Sequence, residues 1–170
     1  ERKWECDSLC AFLDLSISFA QATGDSELAD DPDFQRAVVA VLDVFEQQQR
    51  WDDPGPYTFR RTTNWGPDAV MENGYGQIWQ PCGAVFSTFR PSDDSTIFGF
   101  NTAQNLYAMD VLGRLEILLV NHSSWTNSIV RASRIRHQIL TAINCNAIAE
   151  RKSYGKIFCF EFDGFGNRVG

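Results

Sequence analysis

The feature that most restricts the fold is the run from Asn64 to Asp94, which carries no hydrophobic period and lies between segments that do. It is rich in Gly, Pro, Asn and aromatic residues, and a loop of that length inside a compact domain is uncommon and usually functional. Before it, Leu9, Cys10, Leu13, Ile17 and Ala20 fall at helical spacing within Asp7 to Ala22, closing near Gly24. A polar, acidic loop from Asp25 to Asp31 follows. Asp31-Pro32 opens a second helix, since proline suits the first turn and Asp33 complements the dipole. Phe34, Val38, Val41, Leu42 and Phe45 form its inward face, which fades near Trp51. Asp53-Pro-Gly-Pro56 breaks the chain, and Tyr57 to Arg61 alternates as a short extended stretch.

Beyond the long loop, Leu106, Met109, Leu112, Leu115 and Leu119 predict a third helix over Thr102 to Val120, weakened at Gly113. Ile129, Ile135, Ile139, Ile143 and Ala147 predict a fourth over Ser124 to Glu150. Lys156 to Asp163 alternates with Phe and closes at Gly164 and Gly166. The expected class is all-α, with long loops and short extended segments.

With 170 residues, 44% of them hydrophobic and 13 of them Phe, the chain can bury a core, so disorder is excluded. The length suits one domain or part of a larger one. Fifteen basic residues against 22 acidic give a net charge of −7, a poor match to nucleic acid or an anionic membrane. No apolar stretch is long enough for a membrane span. The five cysteines contain no CxxC pair and the two histidines, His122 and His137, lie far from most of them, so no metal site and no cofactor is expected. Cys6 and Cys10 share a helix face and read as core neighbours. Asn121-His-Ser123 fits an N-glycosylation acceptor and tilts localisation toward secretion without fixing the compartment.

Chemistry concentrates at Gly83 to Asp94, where Arg90, Ser92, Asp93 and Asp94 fall within five residues, with Trp79, Phe86 and Phe89 nearby in sequence. Adjacent part-buried carboxylates oppose each other's ionisation, while a neighbouring arginine holds one ionised. Such an asymmetric pair suits general acid catalysis. Aromatic walls with a few polar anchors suit sugar rings. Ser-Asp-Asp before a helix is also an ordinary N-cap, and spacing leaves both readings open.

Phe89-Arg-Pro-Ser-Asp-Asp94, followed by Ser95-Thr-Ile-Phe-Gly-Phe100 and Asn105-Leu-Tyr-Ala108, resembles the signature stretch of glycoside hydrolase family 125. Trp4-Glu-Cys-Asp-Ser-Leu-Cys10 and Phe160-Glu-Phe-Asp-Gly-Phe-Gly-Asn167 are similar to two further family segments in the right order, and Tyr57-Thr-Phe-Arg-Arg-Thr-Thr63 matches a fourth pattern. The resemblance implies an (α/α)6 barrel, here a partial one. It also implies metal-independent, inverting, exo-acting hydrolysis of α-1,6-linked mannose in mannose-containing glycans. It places the general acid at Asp93 or Asp94, with the other orienting it or binding a sugar hydroxyl. Arg90 would anchor the pair or a mannose hydroxyl. Ser92 would cap the following helix or donate a hydrogen bond. Asp7 would line the cavity or cap the first helix, and Glu161 and Asp163 would fix the turn near them.

The departures also carry expectations. The family reads Leu-Ile-Pro-Ser-Asn where this chain has Asn101-Thr-Ala-Gln-Asn105, which predicts an altered start to the third helix and a looser cavity wall. The family's Arg-Asp-Ser sugar-binding motif would precede Glu1 and its general base would follow Gly170. Residues 1–170 are thus expected to be an internal segment of one catalytic domain, truncated at both ends and inactive alone. Helix faces such as Phe34–Phe45 and Leu106–Leu119 would then lack partners, leaving the segment poorly stable or prone to associate. The alternative is a degenerate, non-catalytic mannoside-binding or structural helical domain.

Overall fold

The computed structural model describes residues 3–25 and 27–170. The periodic segments form helices α1 (Cys6–Thr23), α2 (Pro32–Gln48), α3 (Thr102–Leu119) and α4 (Thr126–Ala142). Gly24 ends α1 in the left-handed region at φ 70°, its N–H returning to the Ala20 carbonyl. Asp31 caps α2, its Oδ1 accepting the N–H groups of Asp33 at 2.7 Å and Phe34 at 2.9 Å. Helix α3 packs against both α1 and α4, and α2 lies on α4.

The helix faces expected to stand unpartnered are core. Phe34, Val38, Val41, Leu42 and Phe45 are buried, as are Leu112, Leu115 and Leu119. The helices cover one another's stripes, and the Phe34 ring meets that of Trp125 at 5.7 Å. Polar edges flank the apolar seams. Asp14 of α1 accepts from Tyr107 Oη at 2.9 Å and pairs with Arg114 of α3, while Arg131 of α4 bonds Glu46 of α2. The apolar side chains left exposed lie elsewhere, including Leu15 and Phe19 on α1 and Ile117 on α3.

The expected all-α class is overturned by two small antiparallel sheets. Strands β1 (Phe100–Asn101), β4 (Glu161–Phe162) and β5 (Arg168–Val169) form one, in the order β1-β4-β5; β2 (Ile148–Arg151) and β3 (Gly155–Phe158) form the other. The fourth helix, expected to reach Glu150, stops at Ala142 and passes through a π turn over Ile143–Ala147. The Ala147 carbonyl accepts the N–H of Cys159 at 2.7 Å, and Ile148 pairs with Phe158. Pairing with a later segment therefore overrides local helical preference. The alternating stretch from Lys156 is extended but divided, because β3 pairs with β2 whereas β4 turns to β1 and β5.

The long loop is almost free of regular structure, with short 3-10 turns at Gly66–Asp68 and Glu72–Gly74. Side chains fix it instead. Asn105 of α3 accepts from Val85 N–H at 2.7 Å and donates to the Val85 carbonyl at 2.9 Å, doing for one residue what a sheet neighbour would. Trp4 Nε1 donates to the Phe86 carbonyl at 2.8 Å, and the Ser87 N–H donates to the Gly99 carbonyl at 2.8 Å. The Phe86 ring carries the Arg50 guanidinium at 3.6 Å from its centroid, and burial pulls that guanidinium down to about 9. A Cβ at Gly99 would stand 2.0 Å from Phe86 Cζ, so only glycine permits this approach. None of the five cysteines forms a disulfide. Among the described residues no helix is long and apolar enough to cross a membrane.

Gly99→Ala is expected to cost about 1–3 kcal/mol through overpacking against Phe86. Gly66→Ala, with nothing within 4 Å of the new Cβ, should cost far less. Denaturant unfolding of the two variants checks this; equal losses would contradict it. A second expectation concerns pH. The Tyr107 hydroxyl, then the Arg114 guanidinium, hold the Asp14 carboxyl below the usual carboxylate range. A depressed carboxylate stabilises the fold above its unfolded value of about 4 and loses that contribution as pH falls through the folded value. Asp14→Asn should therefore lower stability at pH 7 by no more than about 1 kcal/mol, as for an exposed pair. Thermal scans should show the gap closing as pH falls below the usual carboxylate range; a constant gap would contradict it.

Candidate active site

Arg90 to Asp94 forms a closed turn. Arg90 N–H donates to the Asp94 carbonyl at 2.8 Å, Asp93 N–H to the Arg90 carbonyl at 2.9 Å, and Phe89 bridges to Ser95. Asp93 sits at φ 69°, a left-handed conformation that Asp adopts more readily than most residues. The turn is no helix cap. Helix α3 begins at Thr102, where Asn101 Oδ1 accepts the Gln104 N–H at 3.0 Å, so the capping alternative for Ser92, Asp93 and Asp94 falls away. Ser92 is exposed and its hydroxyl makes no hydrogen bond among the described residues.

One buried group fastens the turn from below. Glu161, fully buried in β4, accepts from Arg90 Nε at 2.6 Å and Nη2 at 3.2 Å, and its Oε2 also accepts Ile97 N–H at 2.9 Å and Phe98 N–H at 3.0 Å. The Glu161 carboxylate raises the Arg90 pKa above its ordinary value. Arg90 also lies over the half-exposed Phe160 ring, 5.2 Å from its centroid. Asp163 likewise serves backbone: its Oδ1 accepts Phe165 and Asn167 N–H groups at 2.9 and 3.0 Å.

The two adjacent carboxylates differ in environment. Asp93 points into solvent and pairs with Lys3, whose Nζ lies 2.7 Å from Asp93 Oδ1 and 3.2 Å from Asp68 Oδ1. Asp68 pairs also with Arg61. Asp94 is half-buried, and its carboxylate makes no hydrogen bond among the described residues. Asp7 does not cap α1, whose N-cap is Glu5. Its Oδ1 instead accepts Gln104 Nε2 at 2.5 Å, and the same nitrogen reaches the Phe89 carbonyl at 3.1 Å. Gln104, in the altered start of α3, therefore links α1 to the residue before Arg90. Glu5 lies near Asp7, Asp93 and Lys3, and burial raises its pKa.

The structure thus brings Asp7, Arg90, Ser92, Asp93 and Asp94 into one region and adds Lys3, Glu5, Asp68, Gln104 and Glu161. Glu5 and Gln104 fall within stretches already singled out, Trp4–Cys10 and Asn101–Asn105; Lys3 stands just before the first, and Asp68 carries no local signal. The expected aromatic walls are corrected: Phe86 and Phe89 are fully buried, and Trp79 donates its Nε1 to the Arg50 carbonyl. A recess of about 380 Å³ lined by Lys3, Phe59, Arg60 and Arg61 opens beside the cluster. Larger recesses, at Arg50–Pro56 and between α3 and α4, contain none of these groups. Among the described residues no group of three or more His, Cys, Asp or Glu could hold a metal ion. A fixed turn that presents a free carboxylate beside an ion-paired one can donate a proton or bind a hydroxyl.

Comparison with known proteins gives this arrangement a family. The chain is 29% identical over 178 residues to the meiotically up-regulated gene 157 protein of Schizosaccharomyces pombe, a match that takes in 98% of this chain and 34% of that protein. A solved structure of a metal-independent alpha mannosidase from Streptococcus pneumoniae, in a non-productive complex with α-1,6-mannobiose, superposes with a TM-score of 0.93 at 31% identity. That match covers 99% of this chain and 40% of the bacterial one, so the chain spans less than half the length of either relative. The family model of metal-independent alpha-mannosidases matches residues 1–170 throughout, and the chain belongs to glycoside hydrolase family 125.

Proposed function

We propose that the protein carrying this chain is an inverting exo-α-1,6-mannosidase of mannose-containing glycans, with Asp94 as its general acid. The observation that carries this reading is the Arg90–Asp94 turn, in which Lys3 engages Asp93 and leaves Asp94 without a hydrogen-bonded partner among the described residues. The α-1,6-mannobiose held by the Streptococcus pneumoniae relative supports the linkage. In the reaction the Asp94 carboxyl gives its proton to the glycosidic oxygen as the C1–O bond breaks. A water attacks C1 from the opposite face and loses its proton to a base, releasing β-mannose and the shortened glycan. Acid and base carboxyls in such enzymes stand roughly 6.5–9.5 Å apart.

This reading puts the base elsewhere in the protein than residues 1–170. Glu161 and Asp163 bind backbone, Asp7 is bonded to Gln104, and Glu5 accepts from Ser8 Oγ at 3.2 Å. On this reading residues 1–170 alone do not turn over substrate. On the same reading Arg90 and Asp93 hold the turn, and Ser92 and Asp7 meet sugar hydroxyls. The sequon asparagine, Asn121, is exposed between α3 and α4, which is compatible with secretion.

In the full-length protein, Asp94→Asn should fold and lose about 100-fold or more in kcat on α-1,6-mannobiose, the scale of a lost general acid. Asp93→Asn should lose less. Steady-state kinetics with circular dichroism check this. A larger loss at Asp93 would reverse the assignment, and mannoside binding without turnover by the unaltered protein would identify a non-catalytic binder.

A further inference from the structure

We propose that Glu161 is a positioning residue for the acid turn, acting on Asp94 through Arg90; this rests on the reading of Asp94 as the acid. Glu161 cannot touch substrate, because β4 buries it completely. It nevertheless gathers both flanks of the turn. Arg90, at its start, gives two N–H donors, and Ile97 and Phe98, just past its end, give one each. The strand register sets Glu161 opposite Asn101, the cap of α3, so the carboxylate is tied to the most regular part of the molecule.

A backbone clamp alone would not require a charge, since a glutamine oxygen could accept both N–H groups. The charge has a second task. Arg90 is about one-fifth exposed and close enough to Asp94 to feel its charge. With Glu161 ionised, the fork on Nε and Nη2 fixes the guanidinium and satisfies its charge. Without that carboxylate the anion whose charge still acts on Arg90 is Asp94, and Arg90 would turn to bind the group that must donate a proton. Glu161 thus keeps Asp94 unengaged. Of the other charged groups near the turn, Asp93 and Asp68 pair with Lys3, Glu5 lies near Lys3, Asp7 and Asp93, and Asp7 is bonded to Gln104.

The test is dependence on the leaving group, which a general fold defect would not produce. The full-length protein, Glu161→Gln, Asp94→Asn and the double variant are assayed on α-1,6-mannobiose and on 2,4-dinitrophenyl α-mannoside, whose phenolate departs without protonation. Glu161→Gln should lose about tenfold or more in kcat on the disaccharide, with little change in KM, and nearly nothing on the aryl substrate. Asp94→Asn should show the same pattern more strongly, and the double variant should be no worse than Asp94→Asn alone. Arg90→Lys, which keeps the charge and loses the fork, should resemble Glu161→Gln. Equal losses on both substrates, a change confined to KM, multiplying losses in the double variant, or failure of both Glu161→Gln and Arg90→Lys to fold would overturn the proposal. If Asp94→Asn itself shows no leaving-group dependence, the acid assignment is what fails, and this inference falls with it.

Discussion

A buried carboxylate has to be met by donors, and at Glu161 that requirement joins three parts of the chain that share no local sequence relationship. Strand β4 supplies the acid, the turn at Arg90 supplies a guanidinium, and the backbone at Ile97 and Phe98 supplies two N–H groups. Ion pairs of this kind add little net stability, because desolvating both charges offsets most of their attraction. Their effect is to specify one arrangement, since any other leaves a buried charge unmatched. The long irregular loop needs this, having no ladder of its own.

The surrounding structure can be understood as support for that junction. From α3, Gln104 and Asn105 reach the loop backbone at Phe89 and Val85, and Asp7 of α1 holds Gln104. The sheet β1-β4-β5 is short, but it sets Glu161 beside the start of α3. Phe86, boxed in by Gly99, Trp79 and Arg50, anchors the middle of the loop by packing. The turn is therefore presented on a fixed base, which a group delivering a proton along one direction requires.

The helices were legible in the sequence because each buried stripe is written in residues three and four apart, and the stripes of α1 to α3 fix their extents to within a few residues. Ile148 to Arg151 was not legible as a strand. Its partners lie downstream in β3, and nothing within the segment distinguishes it from a continued helix. The Arg90–Asp94 turn could be singled out because its residues are contiguous. The pairings that hold it could not: Lys3 is 90 residues from Asp93, Arg90 is 71 from Glu161, and Asp7 is 97 from Gln104. Spacing carries no information at such separations. The cap reading of Ser92–Asp94 failed for a related reason, since the bonds closing the turn leave the helix to start at Thr102, capped by Asn101.

The central claim is that this turn serves inverting hydrolysis of an α-1,6-mannoside. Proton NMR of the full-length protein acting on α-1,6-mannobiose, read in the first minutes before mutarotation, tests it most directly. The β-anomer of mannose should appear first and the α-anomer only later, as the sugar equilibrates. Initial release of the α-anomer, or no release at all, would contradict the claim.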